Sequence, residues 1–252
     1  MEINGCTALV TGSNRGIGKA FVEELISAGA QKVYMGMRNL ENFGCAFEGS
    51  GVSVCPIHLD VTKDECIESA LNGCADVTIL INNAGVFCNE TLMGADDISN
   101  ARLEMEVNFF GTLKMCRAFA PILAKNGGGH IVNVLSAAAI VSLPNMGGYS
   151  PSKFASRALT TCIRAELAAQ GTAVTGLIVG SVDTRMASHV VGKKESPNVV
   201  ARAGLRAIRD EINELDTDQM ASSVRAALAR DSEGLEKRMA ALLHAEMIST
   251  GQ

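Results

Sequence analysis

Apolar residues along this chain follow two periods in turn. Short runs rich in Val, Ile and Leu recur at Cys6 to Val10, Lys32 to Met37, Val52 to Leu59, Val77 to Asn82, His130 to Leu135 and Ala173 to Val179. Each is bounded by turn residues and reads as a strand. Their apolar character is continuous rather than alternating, which suits a sheet covered on both faces. Between the runs the spacing becomes helical. Ile17, Phe21 and Leu25 recur four apart, and Thr62-Lys63-Asp64-Glu65 has the form of a capping box opening a helix that buries Ile67 and Leu71. Regular β-α alternation predicts right-handed parallel crossovers, and so an α/β fold with a doubly wound, Rossmann-type parallel sheet in three layers.

After Thr184 the pattern changes. Met186 to Pro197 mixes Ser, Gly and two lysines without periodicity, which predicts a loop serving as a substrate lid. Helices are expected at about 198–209, 217–230 and 232–247, with a short last strand over Glu211 to Leu215. Asp216 with Gln219 is the expected cap of the second helix. Its stripe of Met220, Val224 and Leu228 must bury against the domain or against another subunit of a homo-oligomer. This C-terminal part, about 216–252, is expected to be a structural addition outside the site. No repeat or low-complexity linker interrupts the chain. Its 252 residues, 47% of them hydrophobic, suffice for one large core, so residues 1–252 are expected to form a single domain.

Charge and cysteine usage narrow the function. A net charge of -5 leaves no wide basic face to neutralise a phosphate backbone, which argues against nucleic acid and against an anionic membrane surface. No charged segment followed by an apolar one opens the chain, and no apolar run approaches the roughly 18 residues a membrane span needs. Eight cysteines lie scattered without a Cys-x-x-Cys pair, and the four histidines are equally dispersed. A reduced, cytoplasmic protein without a metal site is expected.

The first strand runs into Thr11-Gly12-Ser13-Asn14-Arg15-Gly16-Ile17-Gly18, and a helix follows at once. Glycines at 12, 16 and 18 leave backbone amides open to a pyrophosphate, and the helix start offers unpaired N–H groups and a positive dipole end. This predicts a dinucleotide cradle. An acid about 20 residues further on would accept ribose hydroxyls, but strand two ends in Met37-Arg38. Arg38 and Arg15 instead offer guanidinium donors suited to a 2′-phosphate, so NADP(H) is the expected cofactor. Asp60-Val61 and Asn82-Asn83-Ala84-Gly85 follow strands three and four at the carboxyl edge, where open sheets bind ligands.

The chain has two tyrosines and no tryptophan, and one tyrosine stands in Tyr149-Ser150-Pro151-Ser152-Lys153. Pro151 is tolerated only in a first helical turn, so a helix starts near Tyr149 and places Tyr149 and Lys153 on one face. Ser150 and Ser152 read as local capping or solvent-facing groups. Ser136 ends strand five, and Asn108 lies in the helical stretch before it.

The glycine loop, Asn-Asn-Ala-Gly, Asn108, Ser136 and the Tyr149 to Lys153 motif, in that order, resemble the short-chain dehydrogenase/reductase family over roughly Thr7 to Thr184. The resemblance implies NADP(H)-dependent reduction of a ketone or aldehyde, reversibly. It implies Tyr149 as general acid, Ser136 as partner of the substrate oxygen, and Lys153 on the nicotinamide ribose, lowering the tyrosine pKa. Asn108 would support a water in the proton relay. One ammonium about 4 Å from a phenolate, at an effective dielectric near 20, would supply roughly the 4 kcal/mol that a shift of about three pKa units needs. Gly12 to Gly18, Arg38, Asp60, Val61, Asn83, Ala84, Gly85, Tyr149 and Lys153 would hold the cofactor. After strand six this chain has Val179-Gly180 where the family usually has Pro-Gly, with Gly180, Val182 and Thr184 expected at the nicotinamide carboxamide. Ala138, Ile140, Val141, Leu143, Met146 and Met186 predict an apolar pocket for a small carbonyl or alcohol substrate. Two other readings are an epimerase or dehydratase of the same family, which usually needs a separate substrate domain, and a non-catalytic NADP-binding regulator.

Overall fold

The computed structural model describes residues 1–42, 47 and 51–249. Seven parallel strands form one sheet: β1 (Thr7–Thr11), β2 (Lys32–Met37), β3 (Ser53–His58), β4 (Ile79–Asn82), β5 (Gly129–Val134), β6 (Thr172–Ile178) and β7 (Glu214–Asp216), in the spatial order 3-2-1-4-5-6-7. The chain direction across the sheet reverses between β1 and β4, so the crevice at their carboxyl ends is the topological switch point where such sheets bind ligands.

Strand residues supply both faces in strict alternation. Ala8, Val10, Ile79 and Ile81 enter one core with Phe21, Leu25, Leu205 and Ile208, while Leu9, Leu80 and Ile131 enter the other with Met115, Phe119 and Ile163. The first core lies beneath α1 (Gly16–Ser27) and α6 (Pro197–Arg209), the second beneath α2 (Asp64–Gly73), α4 (Thr112–Lys125) and α5 (Tyr149–Leu167). The remaining helices are α3 (Ser99–Glu104), α7 (Gln219–Arg230) and α8 (Ser232–Ser249), with a π-helical stretch at Met105–Gly111 joining α3 to α4.

Two expected caps are replaced. Thr62 does not cap α2: its backbone N–H and its hydroxyl both donate to Asp60 Oδ1, at 3.0 and 2.8 Å, and the helix starts later, at Asp64. The Asx turn spends the threonine on holding the end of β3. For α7 the cap is Asp218, whose carboxylate accepts from Ala221 N at 3.0 Å, whereas Asp216 is taken by Arg225. The stripe on α7 buries only in part. Val224 and Leu228 pack with Leu135, Ile140 and Ile178 around a fully buried Ala221, while Met220 stays exposed.

Candidate active site

The glycine loop is shaped by close approach at each of its glycines. Gly12 has φ +64° and would place a Cβ 3.0 Å from Ala84 Cα, and a Cβ on Gly18 would stand 2.3 Å from the Gly12 carbonyl oxygen. Only glycine allows both the left-handed turn and a helix packed this tightly on the loop. Asn83 locks the arrangement, its amide donating to the carbonyls of Thr11 at 2.9 Å and Gly12 at 3.1 Å. Thr11 Oγ1 returns the contact by accepting from the Asn83 and Ala84 amides, both at 3.0 Å. Asn-Asn-Ala-Gly is thus the brace of the glycine loop.

The start of α1 suits an anion. Arg15 precedes it without a side-chain cap, and its first turn has no acidic residue, so the orphan amides carry the helix's positive end unopposed. Thr184 comes down on this loop from the far side, its Cγ2 only 3.2 Å from where a Gly16 Cβ would be. Arg15 and Arg38 are both exposed, and neither pairs with a described carboxylate. Asp60 stays ionised, because the Thr62 bonds and the charge of Arg38 outweigh the effect of burial. Ser13 is fully buried and donates to the Gly36 carbonyl at 3.2 Å, which ties the loop to β2. A dinucleotide fits these residues: three glycines clear a path, the amides at the start of α1 are free for its phosphates, and one arginine stands in the glycine loop and another directly after β2.

The second half of the site gathers at the ends of β4 and β5. Tyr149 is the first residue of α5, as Pro151 predicted, and its hydroxyl is hydrogen-bonded to Ser136. Ser136 Oγ is itself fixed by accepting from Ala138 N at 3.1 Å. Lys153 lies one turn along α5, buried, with Nζ 5.7 Å from the Tyr149 ring centre. A Cβ on Gly85 would stand 3.8 Å from that Nζ and 3.1 Å from Asn108 Oδ1, so Gly85, Asn108 and Lys153 converge.

The expected electrostatics of the pair are reversed. Lys153 donates to the Val134 carbonyl at 2.9 Å rather than to the phenol, and burial pushes its pKa down to about 8. Burial also dominates at Tyr149, pushing the phenol up to about 12; the Ser136 bond lowers it and the charge of Glu104 raises it. Desolvation of both groups outweighs their mutual effect, because the ammonium points at the strand rather than at the oxygen.

Asn108 is a brace. It sits in the π-helical stretch, where its amide accepts from Val86 N at 2.9 Å and donates to Val86 O at 3.0 Å and to Ser152 Oγ at 2.9 Å. Its carbonyl accepts from Thr112 Oγ1 at 2.8 Å and Ser156 Oγ at 2.9 Å. Ser150 and Ser152 are therefore neither caps nor solvent-facing: both are buried, and Ser150 bridges Leu143 N and the Ala138 carbonyl at 3.2 Å each. Ser150 pins the loop after β5, and Ser152 ties the start of α5 to Asn108. Among the described residues no cluster of His, Cys, Asp and Glu could hold a metal ion, and no helix is long and apolar enough to cross a membrane.

The short chain dehydrogenase pattern matches residues 6–195. The chain belongs to the short chain dehydrogenase family. It is 40% identical to a short chain dehydrogenase from Burkholderia cenocepacia solved in complex with NADP, with a TM-score of 0.89 over 95% of this chain and 99% of that one. It is 35% identical over 188 residues to the sorbitol dehydrogenase of Cereibacter sphaeroides, 73% of each chain. To dehydrogenase/reductase SDR family member 7B of Xenopus tropicalis it is 27% identical over 239 residues, 84% of this chain and 77% of that one.

Within this dehydrogenase the start of α7 reaches the loop after β6. The Asp218 carboxylate that caps α7 also accepts from Gly180 N at 2.7 Å and from Thr217 Oγ1 at 3.0 Å. A Cβ at Gly180 would stand 2.3 Å from Asp218 Oδ1, so the loop after β6 lies against this acid. The next residue, Ser181, has a buried hydroxyl with no protein partner. Asp218 takes the rigidifying role that a proline before Gly180 would play. Asp218→Ala, which orphans the Gly180 amide and uncaps α7, is expected to cost about 2–4 kcal/mol of stability in denaturant unfolding.

The segment from 186 to 197 is closed at its base. Asp183 N donates to Glu195 O and Glu195 N to Ser181 O, both at 2.8 Å, and α6 begins at Pro197. Within it, the His189 ring centre lies 5.2 Å from that of Phe87, which in turn packs edge-to-face with Tyr149 at 5.4 Å. The expected apolar wall is kept in part. Ala138, Ile140 and Val141 are buried, Ile140 in the small core against α7, whereas Leu143 and Met146 are half-buried and Met186 is exposed; Leu92, Met93 and Val191 are further exposed apolar side chains on the loops after β4 and β6.

Proposed function

We propose that this dehydrogenase reduces an apolar ketone or aldehyde to the alcohol, reversibly, with NADP(H) as cofactor. The observation that carries this reading is the convergence of Ser136, Tyr149 and Lys153 on the crevice that the glycine loop and Thr184 also border. When bound, NADPH would supply the hydride that reduces the carbonyl carbon. Tyr149 gives its hydroxyl proton to the carbonyl oxygen, which Ser136 orients by hydrogen bonding, and takes a proton back in the oxidative direction. Lys153 would hold the nicotinamide ribose, and Asn108 keeps Gly85, Val86 and Ser152 in register. A protonated phenol near neutral pH supports the reductive role.

Arg15 and Arg38 support NADP(H) over NAD(H), as does the NADP found in the Burkholderia relative. Leu92, Met93, Met186 and Val191 support an apolar substrate. One sheet running from residue 7 to 216 supports treating 1–252 as one domain. The described cysteines are free thiols, in keeping with a reducing cytoplasm. The test is NADPH oxidation against aldehydes, ketones, diketones and a 3-oxoacyl thioester. Tight NADPH binding with no turnover on any of them would favour the regulator. Arg38→Asp is expected to weaken NADPH by about tenfold or more and to improve NADH, read as the ratio of kcat/KM values; a wild type that uses both cofactors equally would overturn the assignment of Arg38.

A further inference from the structure

Glu104 is the last residue of α3 and is 2% exposed, yet it is in no ion pair with a described cation. Its Oε1 accepts from Cys88 N at 2.8 Å, and the carboxylate also accepts from the Gly148 amide. Those two amides flank Tyr149. Cys88 follows Phe87, whose ring meets the Tyr149 ring edge-on, and Gly148 is the residue at the start of α5 immediately before Tyr149. The fit at Gly148 is tight: a Cβ there would stand 2.8 Å from Oε2. One buried carboxylate thus joins the loop after β4 to the N-terminus of α5, on either side of the phenol.

We propose that Glu104 is a positioning residue for Tyr149, gripping both flanks of the phenol and supplying a negative charge that holds the proton on its hydroxyl. A buried acid without a cation costs stability, and amides with a helix N-terminus offset only part of that cost. A packing role would be met by an apolar residue; a charge beside a proton donor biases the donor. The surrounding titratable groups are Tyr149 and Lys153 on α5, Cys88 and Glu90 on the loop after β4, and His189 beyond Phe87. Burial, with the nearby Glu90, pushes the Glu104 pKa up, and the charge of Glu104 in turn raises Tyr149.

The inference rests on the proposed role of Tyr149, and the experiment separates the two. Glu104→Gln keeps the shape and removes the charge. In alcohol oxidation its alkaline rise is expected about one pH unit below that of the wild type, with kcat for reduction lowered about 3- to 10-fold and KM little changed. A readout without cofactor is available in a Tyr34→Phe background, where Tyr149 is the sole tyrosine of a chain without tryptophan. There the phenolate absorbance should appear at lower pH in Glu104→Gln. Glu104→Asp, which keeps the charge at shorter reach, should retain the pH profile and lose kcat; it carries the test if the glutamine variant does not fold. An unchanged pH profile and kcat in Glu104→Gln, or an unchanged kcat in Glu104→Asp, beside an inactive Tyr149→Phe, would overturn the inference. An active Tyr149→Phe would instead overturn the reading of the site.

Discussion

Tyr149→Phe is expected to lower turnover at least about 10²-fold while leaving NADPH affinity nearly unchanged, because it removes the proposed proton donor and little else. The substitution keeps the ring that packs edge-on against Phe87 and forfeits only the hydroxyl bonded to Ser136. The loss of stability should therefore be about 1 kcal/mol, the usual contribution of one hydrogen bond. Burial pushes the wild-type phenol up to about 12, so the donor keeps its proton throughout the neutral range. Reduction should accordingly be flat with pH around neutrality and oxidation should climb toward alkaline pH. Steady-state kinetics in both directions, with NADPH binding followed by nicotinamide fluorescence, read out each part. Near-normal turnover in the phenylalanine variant would reduce Tyr149 to a packing residue.

Lys153→Met is expected to abolish activity and, at neutral pH, to stabilise the fold. The side chain is 6% exposed, and burial brings its pKa from the usual 10.5 down to about 8. Below pH 8 the lysine is charged in both the folded and the unfolded chain, so the fold bears the full cost of burying an ammonium. Between about pH 8 and 10.5 the unfolded chain binds more protons than the folded one, and wild-type stability rises with pH. Methionine removes that cost but leaves the Val134 carbonyl without its donor. The net gain at pH 7 should be about 1–3 kcal/mol, or roughly 2–4 °C in Tm for each kcal/mol. The advantage should shrink as pH rises through that window. NADPH affinity should fall, since the lysine is assigned to the ribose. A Met variant less stable than wild type at every pH, with no convergence, would contradict this account. Activity that depends on a group kept at a cost in stability is a known trade-off.

Among local features, some were legible because a covalent fact dictates them. Pro151 fixed the start of α5 at Tyr149, and glycines at 12 and 18 marked the loop that no side chain could fit. Other local signals misled because a second partner competed for the same group. Thr62 looked like a cap but bonds Asp60, and Asp216 looked like a cap but pairs with Arg225. Ser150 and Ser152 looked like capping or surface residues, yet the loop after β5 folds over Ser150 and Asn108 of the π-helical stretch bonds Ser152. Glu104 and Asp218 gave no signal at all. Each is one acid among the chain's 27 acidic residues, and its partners Cys88, Gly148 and Gly180 stand 16 to 44 residues away.

The sequence by itself determined the strand and helix order, the dinucleotide cradle and the Ser136, Tyr149 and Lys153 set. Period, glycine placement and turn chemistry are properties of neighbouring residues, and the alternating β-α pattern leaves few topologies. Only the tertiary structure decided which way Lys153 points, which acid braces the loop after β6, and which carboxylate lies beside the phenol. Those outcomes depend on burial and on amides brought together from distant parts of the chain, where desolvation, rather than the identity of any adjacent residue, sets the balance of charge.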